Sequence, residues 1–408
     1  MDRKALLARL DEKAALDFLA EMVRHKSYSQ SDGERALAEF MAARLTEIGL
    51  EAELQPVEGR RVNAIGRWAG TGGGKSLLFN GHLDTNPATE GWTVDPWGGI
   101  VDDRFIYGIG VSNMKAGDAA YYCAVKTLID AGVKLRGDVI LTFVIGELQG
   151  GVGTLAAVKR GVTADYFINS EPTDLQALTM HAAAFTFHIE LTGDTRHLSK
   201  REEAVDAIMA ACDLIPRLNA MTFSGAKSEE HRAINRVHVG VVHGALGKDL
   251  EEWRPPQVAD VVRIKGSGRY APGQTEEQAI ADMRAVLDEL EARFPGLKAT
   301  ITPERQEGRP TMPPFEVARD ARIVTAVNAA YETVRGEPQP TGAIAPPRYF
   351  GTDAGHLYEA GGMEGIVCGP GGRYNTMPDE RVDIADYLDM IRIYMLAILD
   401  ICEVDESA

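Results

Sequence analysis

The chain has 408 residues, of which 45% are hydrophobic and 25% charged, and a formal net charge of −17 at pH 7. That length is more than one core normally fills, so two domains are expected, and the composition excludes a disordered or fibrous chain. The acidic balance argues against nucleic acid and anionic membrane surfaces as partners, because both need clustered Lys and Arg.

The first residues, Met1-Asp2-Arg3-Lys4, lack the apolar core of a secretory signal, and no apolar run approaches a membrane span. A cytoplasmic protein is expected. Leu16, Leu19 and Val23 then share one helical face, and Leu37, Phe40, Met41 and Leu45 share another, with Gly49 ending the second helix. Strands are expected at Ser76 to Asn80, Asp138 to Gly146 and Asp165 to Asn169, with a helix around Ala116 to Ala131 between the first two. The continuous apolar run Val139 to Ile145 suits a sheet covered by helices on both faces.

From about Ala183 the pattern becomes strand (Phe185 to Leu191), helix (Glu203 to Leu218), strand (Val237 to Val242), strand (Val261 to Lys265), helix (Glu276 to Phe294), strand (Lys298 to Ile301). This βαββαβ order is that of a ferredoxin-like unit. After Pro313 and Pro314 the α/β pattern returns, with a helix near Ile323 to Val334, a strand at Gly365 to Cys368 and a last helix from Ile384. The expected architecture is an α/β domain of residues 1–182 and 303–408, a central mixed sheet between helices, into which an α+β domain of residues 183–302 is inserted. The four cysteines, Cys123, Cys212, Cys368 and Cys402, are far apart and fit reduced, mostly buried thiols.

Several apolar strands run directly into polar clusters: Gly81-His82-Leu83-Asp84, Glu147 after Ile145-Gly146, Glu171-Pro172-Thr173 after Asn169-Ser170, and Gly369-Pro370-Gly371 after Cys368. Strand ends converge at the ligand crevice of an open α/β sheet, whereas one such cluster alone reads equally as a turn. In His82-Leu83-Asp84 the carboxylate is placed to hold a ring nitrogen and fix its tautomer. Glu147 precedes a glycine-rich bend, Gly150-Gly151, that admits close backbone approach.

In this order the segments resemble the family that includes glutamate carboxypeptidase, aminoacylase and succinyl-diaminopimelate desuccinylase. Members bind two zinc ions and hydrolyse amide bonds, usually beside a carboxylate. The family's Gly-His-x-Asp stands as Gly81 to Asp84, its Trp and Asp-Pro as Trp92 and Asp95-Pro96, and its Glu-Pro-Thr as Glu171 to Thr173. Gly351-Thr352-Asp353-Ala354 and the Gly369 loop follow in the same order. The resemblance implies Glu147 as general base and His197, just before Ser199, as a group holding the reacting carbonyl across a dimer interface. It also implies Arg269 as the binder of the substrate carboxylate.

The departures fall on the metal ligands. The bridging aspartate is replaced by Asn113 in Asn113-Met114-Lys115, the second glutamate of the Glu-Glu pair by Leu148, and the late ligand histidine by Asn375, whose alignment depends on placing one residue. The family's Asn-Ala-Ile reads Asp206-Ala207-Ile208. Leucine cannot coordinate, and catalytic zinc ordinarily takes three protein ligands, so no metal cofactor is expected. The alternative is one weakly bound divalent cation at His82, Glu171 and Asn113. Catalytic roles then fall to Glu147, His197, His82 and Asp84, and substrate contacts to Asn113, Glu171, Arg269, Gly369, Gly371 and Asn375. Arg348 and Arg373, in loops near the crevice, are either further anion contacts or plain surface residues.

The function expected is hydrolysis of an amide-type C–N bond in a small carboxylate-bearing substrate, by a homodimer. An elimination or isomerisation using Glu147 on a carbon-bound proton is the first alternative, and a non-catalytic ligand-binding protein the second.

Overall fold

In the computed structural model, which describes residues 2–304, 309–343 and 350–407, the strand Leu77–His82 is buried along its whole length inside an eight-stranded sheet. It pairs in parallel with Val139–Val144 on one side and Tyr166–Asn169 on the other, with His82 opposite Val144 and Asn80 opposite Asn169. Glu364–Val367 adds a further parallel neighbour to Tyr166–Asn169. The carboxyl ends of these strands therefore lie side by side.

Side chains alternate across the sheet, and the two faces take different partners. Phe79 packs on Tyr121 and Tyr394, carried by the helices Ala116–Asp130 and Ile384–Ile401. Asn80, on the other face, donates to Thr142 Oγ1 at 3.1 Å and to Thr154 Oγ1 at 3.0 Å in the helix Val152–Lys159. Helices thus cover both faces, as the apolar strands imply. The early helices form at Glu12–Arg24 and Asp32–Glu47, the second capped by Ser31.

An antiparallel hairpin, Glu51–Glu58 with Arg61–Trp68, extends one side of the sheet and was not expected from the sequence. Its outer strand is mostly exposed and polar, so it carries no apolar signature.

The described residues divide into two compact units. One takes the chain up to Met180 and again from Phe315 and from Thr352; the other spans His181–Pro314, with Gly351. The second unit holds a four-stranded antiparallel sheet in the spatial order Arg236–Ala245, Val261–Tyr270, Ala183–Thr192, Lys298–Glu304. Phe187, Leu214, Met283 and Leu287 belong to its apolar core, contributed by one strand and the helices Ala207–Ala220 and Glu276–Arg293. The first of these helices begins at Ala207 and not at Glu203, because the Asp206 carboxylate accepts from Ile208 N and Met209 N and caps it there. Among the described residues no helix is long and apolar enough to cross a membrane.

Candidate active site

Three neighbouring strand ends deliver His82, Glu147 and Glu171 to one place, where one ligand atom from each lies within 4.8 Å of the others. Glycine makes the approach possible: a Cβ on Gly81 would stand 2.1 Å from Asp118 Oδ1. His82 is buried, with Nδ1 2.8 Å from the backbone oxygen of Asp84 and 3.5 Å from its Oδ1. Nε2 lies 3.0 Å from Asn113 Oδ1 and 3.5 Å from Glu171 Oε1. With the Asn113 amide oxygen toward Nε2, an imidazole facing oxygens through both nitrogens is stable in two ways. It is an imidazolium, or it is the Nδ1–H tautomer with a cation held between Nε2 and the oxygens. With that amide turned over, a neutral ring accepts from its NH₂.

Asp84 does more than orient the histidine. Its Oδ1 accepts from Gly146 N at 2.9 Å and Glu147 N at 3.2 Å, and its Oδ2 from Leu148 N at 3.3 Å and Ser29 Oγ at 2.8 Å. The carboxylate so fixes the backbone that carries Glu147. Gln149 ties the same bend to Ser29 and receives Arg61 Nη2 at 2.8 Å, while Arg61 is itself paired with the buried Glu34.

Burial pushes the Glu147 carboxyl well above the usual carboxylate range; His82 opposes the rise, and Glu171, Asp353 and Asp84 add to it. Burial likewise lifts Glu171 to about 7, against the pull of His82. His82 is raised well above the ordinary imidazole value: burial lowers it, but Asp84, Glu171 and Glu147 together outweigh burial. Burial would raise Asp84 too, yet its bonds to His82 and Ser29 hold it low. Acidic groups outnumber the single imidazole, so the centre retains protons or takes up a cation.

Asp353 was quoted in the sequence only as part of a matching segment and belongs to this cluster. It is buried, accepts from Thr154 Oγ1 at 2.7 Å through Oδ2, and leaves Oδ1 without a hydrogen bond among the described residues. His356, one turn on, has Nε2 2.7 Å from Gly150 O and so pins the far end of the Glu147 bend. Their signal in the sequence is an Asp and a His three apart at a helix start, which alone is common.

Other expected residues fall elsewhere. A Cβ on Gly369 would meet Ser170 O at 2.1 Å, its N–H donates to Thr173 Oγ1, and Gly371 O accepts from Asp174 N. These glycines brace the Glu171 turn with backbone groups that had been expected at the substrate. Thr376 and Met377 are among the residues lining the cavity beside His82, and Asn375 is not. Arg373 bonds Asp174, Asp383 and Asp386 and is a structural ion-pair residue. Arg348 lies outside the described residues. His197 and Arg269 belong to the second unit: His197 is exposed, with Nδ1 3.1 Å from Ser199 Oγ, and Arg269, half-buried on the strand Val261–Tyr270, donates to Gly268 O at 3.0 Å.

Among the described residues one group of side chains could hold a divalent cation. His82, Glu147 and Glu171 supply a histidine and two carboxylates, the number of protein ligands a catalytic zinc takes; Glu147 would then be a ligand where Asn113 was expected, and it is free to act as a base only when it does not ligate. At the second position Leu148, 39% exposed, offers only hydrocarbon.

Proteins similar to this chain include a deformylase and a deacetylase. The chain is 27% identical over 385 residues to the N-formyl-4-amino-5-aminomethyl-2-methylpyrimidine deformylase of Bacillus subtilis (strain 168), covering 89% of this chain and 88% of that protein. It is 27% identical over 358 residues to an acetylornithine deacetylase of Yersinia pestis, covering 86% of each. The fold matches aminopeptidase PepT from Bacillus cereus ATCC 10987 with a TM-score of 0.76 at 18% identity, over 97% of this chain and 100% of that one. It matches the M20 family metallo-carboxypeptidase Sso-CP2 from Sulfolobus solfataricus with a TM-score of 0.73 at 16% identity, over 95% and 98%. The model of peptidase family M20/M25/M40 matches residues 78–400, and the chain belongs to that family.

Proposed function

We propose that the chain hydrolyses an amide-type C–N bond of a small carboxylate-bearing substrate, with Glu147 as general base and without a pair of zinc ions. The observation that carries this is the placement of Glu147: a half-buried carboxyl among His82, Glu171 and Asp353, on a bend that Asp84 and His356 hold from both ends. A base held above the ordinary carboxylate range is better matched to neutral pH than a solvated glutamate. Two relatives named for removing a formyl and an acetyl group support acyl–nitrogen cleavage as the reaction class.

In this scheme Glu147 takes a proton from water as the water oxygen adds to the carbonyl carbon. His82, charged between its acidic neighbours, stabilises the developing oxyanion. The proton on Glu147 then passes to the departing nitrogen as the C–N bond breaks. A divalent cation held by neutral His82 and by Glu171 would take the place of that imidazolium and supply Lewis-acid polarisation of the same carbonyl. The carboxylate of the substrate is assigned to Arg269 on the resemblance of its segment to the family's.

Glu147→Gln removes the base and keeps the side-chain shape, so turnover of N-formyl and N-acetyl derivatives of small amino acids should fall by about 10² or more. Circular dichroism should show the fold intact. Near-normal turnover by the variant would sink the assignment.

A further inference from the structure

The bend from Gly146 to Gly151 that carries Glu147 has little stiffness of its own. Gly146, Gly150 and Gly151 all stand at positive φ, between 74° and 83°, a region glycine enters and leaves freely. The side chain of Leu148, 39% exposed, can make no hydrogen bond. Glu147 is therefore held by groups that reach the bend from outside it.

One such hold comes from the hairpin through Gln149. Arg61 grips the buried Glu34 as a fork, Nε to Oε2 and Nη2 to Oε1, both at 2.6 Å, and its Nη1 bonds Glu58. The guanidinium, its side chain only 13% exposed, is so fixed in place, and Nη2 has its second hydrogen for Gln149 Oε1 at 2.8 Å. A Cβ on Gly146 would stand 3.1 Å from both Arg61 Nη2 and Gln149 Oε1, so this contact lies against the first glycine of the bend.

The bonds that follow run in one direction only. A guanidinium can only donate, so the oxygen of the Gln149 amide faces Arg61 and its NH₂ faces Ser29 Oγ. The Ser29 hydroxyl hydrogen is then left for Asp84 Oδ2, 2.8 Å away. Asp84 in turn accepts from the backbone N–H groups of Gly146, Glu147 and Leu148. The chain of bonds thus leaves the bend by a side chain and returns to it through the backbone. A buried ion pair such as Arg61 with Glu34 adds little stability over an apolar pair of like volume, because desolvation offsets the attraction. What it does supply is a fixed direction for the remaining N–H.

We propose that Arg61 and Gln149 are positioning residues for Glu147, holding its bend through Ser29 and Asp84 so that the carboxylate meets the attacking water in one place. The proposal rests on the hydrolytic reading for the role of Glu147, and on the bonds themselves for the hold.

Steady-state kinetics on N-formyl and N-acetyl amino acids, with hydrogen exchange of residues 146–151, test this on the full chain. Gln149→Ala leaves the pair of Arg61 and Glu34 intact, so fold and KM should stay, while kcat falls about 10-fold, as small misplacements of a catalytic group cost at least that much. Gln149→Glu still accepts from Arg61 but cannot donate to Ser29, and should be no better than Gln149→Ala. Arg61→Lys loses the fork. Combined with Gln149→Ala it should lower kcat no further than the worse of the two alone, because both act through one chain of bonds. Exchange at the bend should quicken by about 10-fold in each variant, with the strand Leu77–His82 unchanged. The assignment is overturned if Gln149→Ala keeps normal kcat, if Gln149→Glu restores it, if the loss falls on KM or follows Tm alone, or if the losses of Arg61→Lys and Gln149→Ala multiply. Ordinary turnover with an unmoved bend would remove the positioning role alone. A loosened bend in variants of a chain that turns over no N-acyl substrate would remove the hydrolytic reading alone.

Discussion

Asp353 stands behind Glu147 and Glu171 as a further buried acid, and its own carboxyl is raised by burial, with His356 and Thr154 opposing. Its negative charge helps raise Glu147. Asp353→Asn keeps an oxygen for Thr154 Oγ1 while removing that charge, so the Glu147 carboxyl should ionise at lower pH. The expected outcome is an acid limb of kcat/KM displaced toward lower pH, with the fold retained. An unmoved limb would show that Asp353 acts only as a partner of Thr154. The sequence made this pair hard to see, because Asp353 and His356 lie about two hundred residues from Glu147 and gain meaning only when the helix Ala354–Glu359 is set against Gly150 and Gly151. His82, Glu147 and Glu171 were legible because each follows directly on an apolar strand. The bracing partners of Gly369, Gly371 and Arg373, namely Thr173, Asp174 and Asp386, are revealed only by the fold.

At the scale of elements, the register of the strands carrying His82 and Glu171 is held from below by Asp165. Its carboxylate accepts from Ser76 N and Ser76 Oγ, both at 2.8 Å, and from Lys75 Nζ at 2.7 Å, so the start of one strand is tied to the start of its neighbour. The bond to Lys75 and those to Ser76 hold the Asp165 carboxyl down at about 2. An unfolded aspartate titrates near ~3.9, so this stabilisation is complete above that range and is lost as the pH falls through the folded value. Asp165→Ala should cost about 1–2 kcal/mol at pH 7 and lower Tm by a few degrees. The gap between the two proteins should close on acidification toward pH 2. A gap that persists there would locate the effect in packing. The apolar strands Val139–Val144 and Tyr166–Asn169 could be read from composition, whereas the hairpin Glu51–Trp68 could not, since its outer strand exposes Leu54 and buries Gln55 and so lacks the usual alternation.

For the whole molecule, the second unit carries an open strand edge. Val241 and Val242 on the strand Arg236–Ala245 are 43% and 46% exposed, and Ile208 and Met209 on the helix Ala207–Ala220 are 41% and 48% exposed. A Cβ on Gly244 would touch Ile208, so these surfaces are continuous. An uncovered apolar edge of this kind suits pairing with a copy of itself about a two-fold axis, and the chain is proposed to be a homodimer in which His197 serves the Glu147 of the other copy. Mixing inactive Glu147→Gln with inactive His197→Ala protein should restore part of the activity, because a mixed dimer contains one site with both groups intact. Verified mixed dimers that recover nothing would exclude the shared site.

The proposed chemistry depends on the loss of the family's second metal position, where Leu148 stands, which leaves Glu147 as a base and His82 and Glu171 for at most one cation. Elemental analysis of the purified chain, run beside turnover before and after chelation, tests it most directly. The prediction is at most one equivalent of divalent metal per chain, since among the described residues one group of three donors is found. Two equivalents of zinc whose removal abolishes turnover would contradict it.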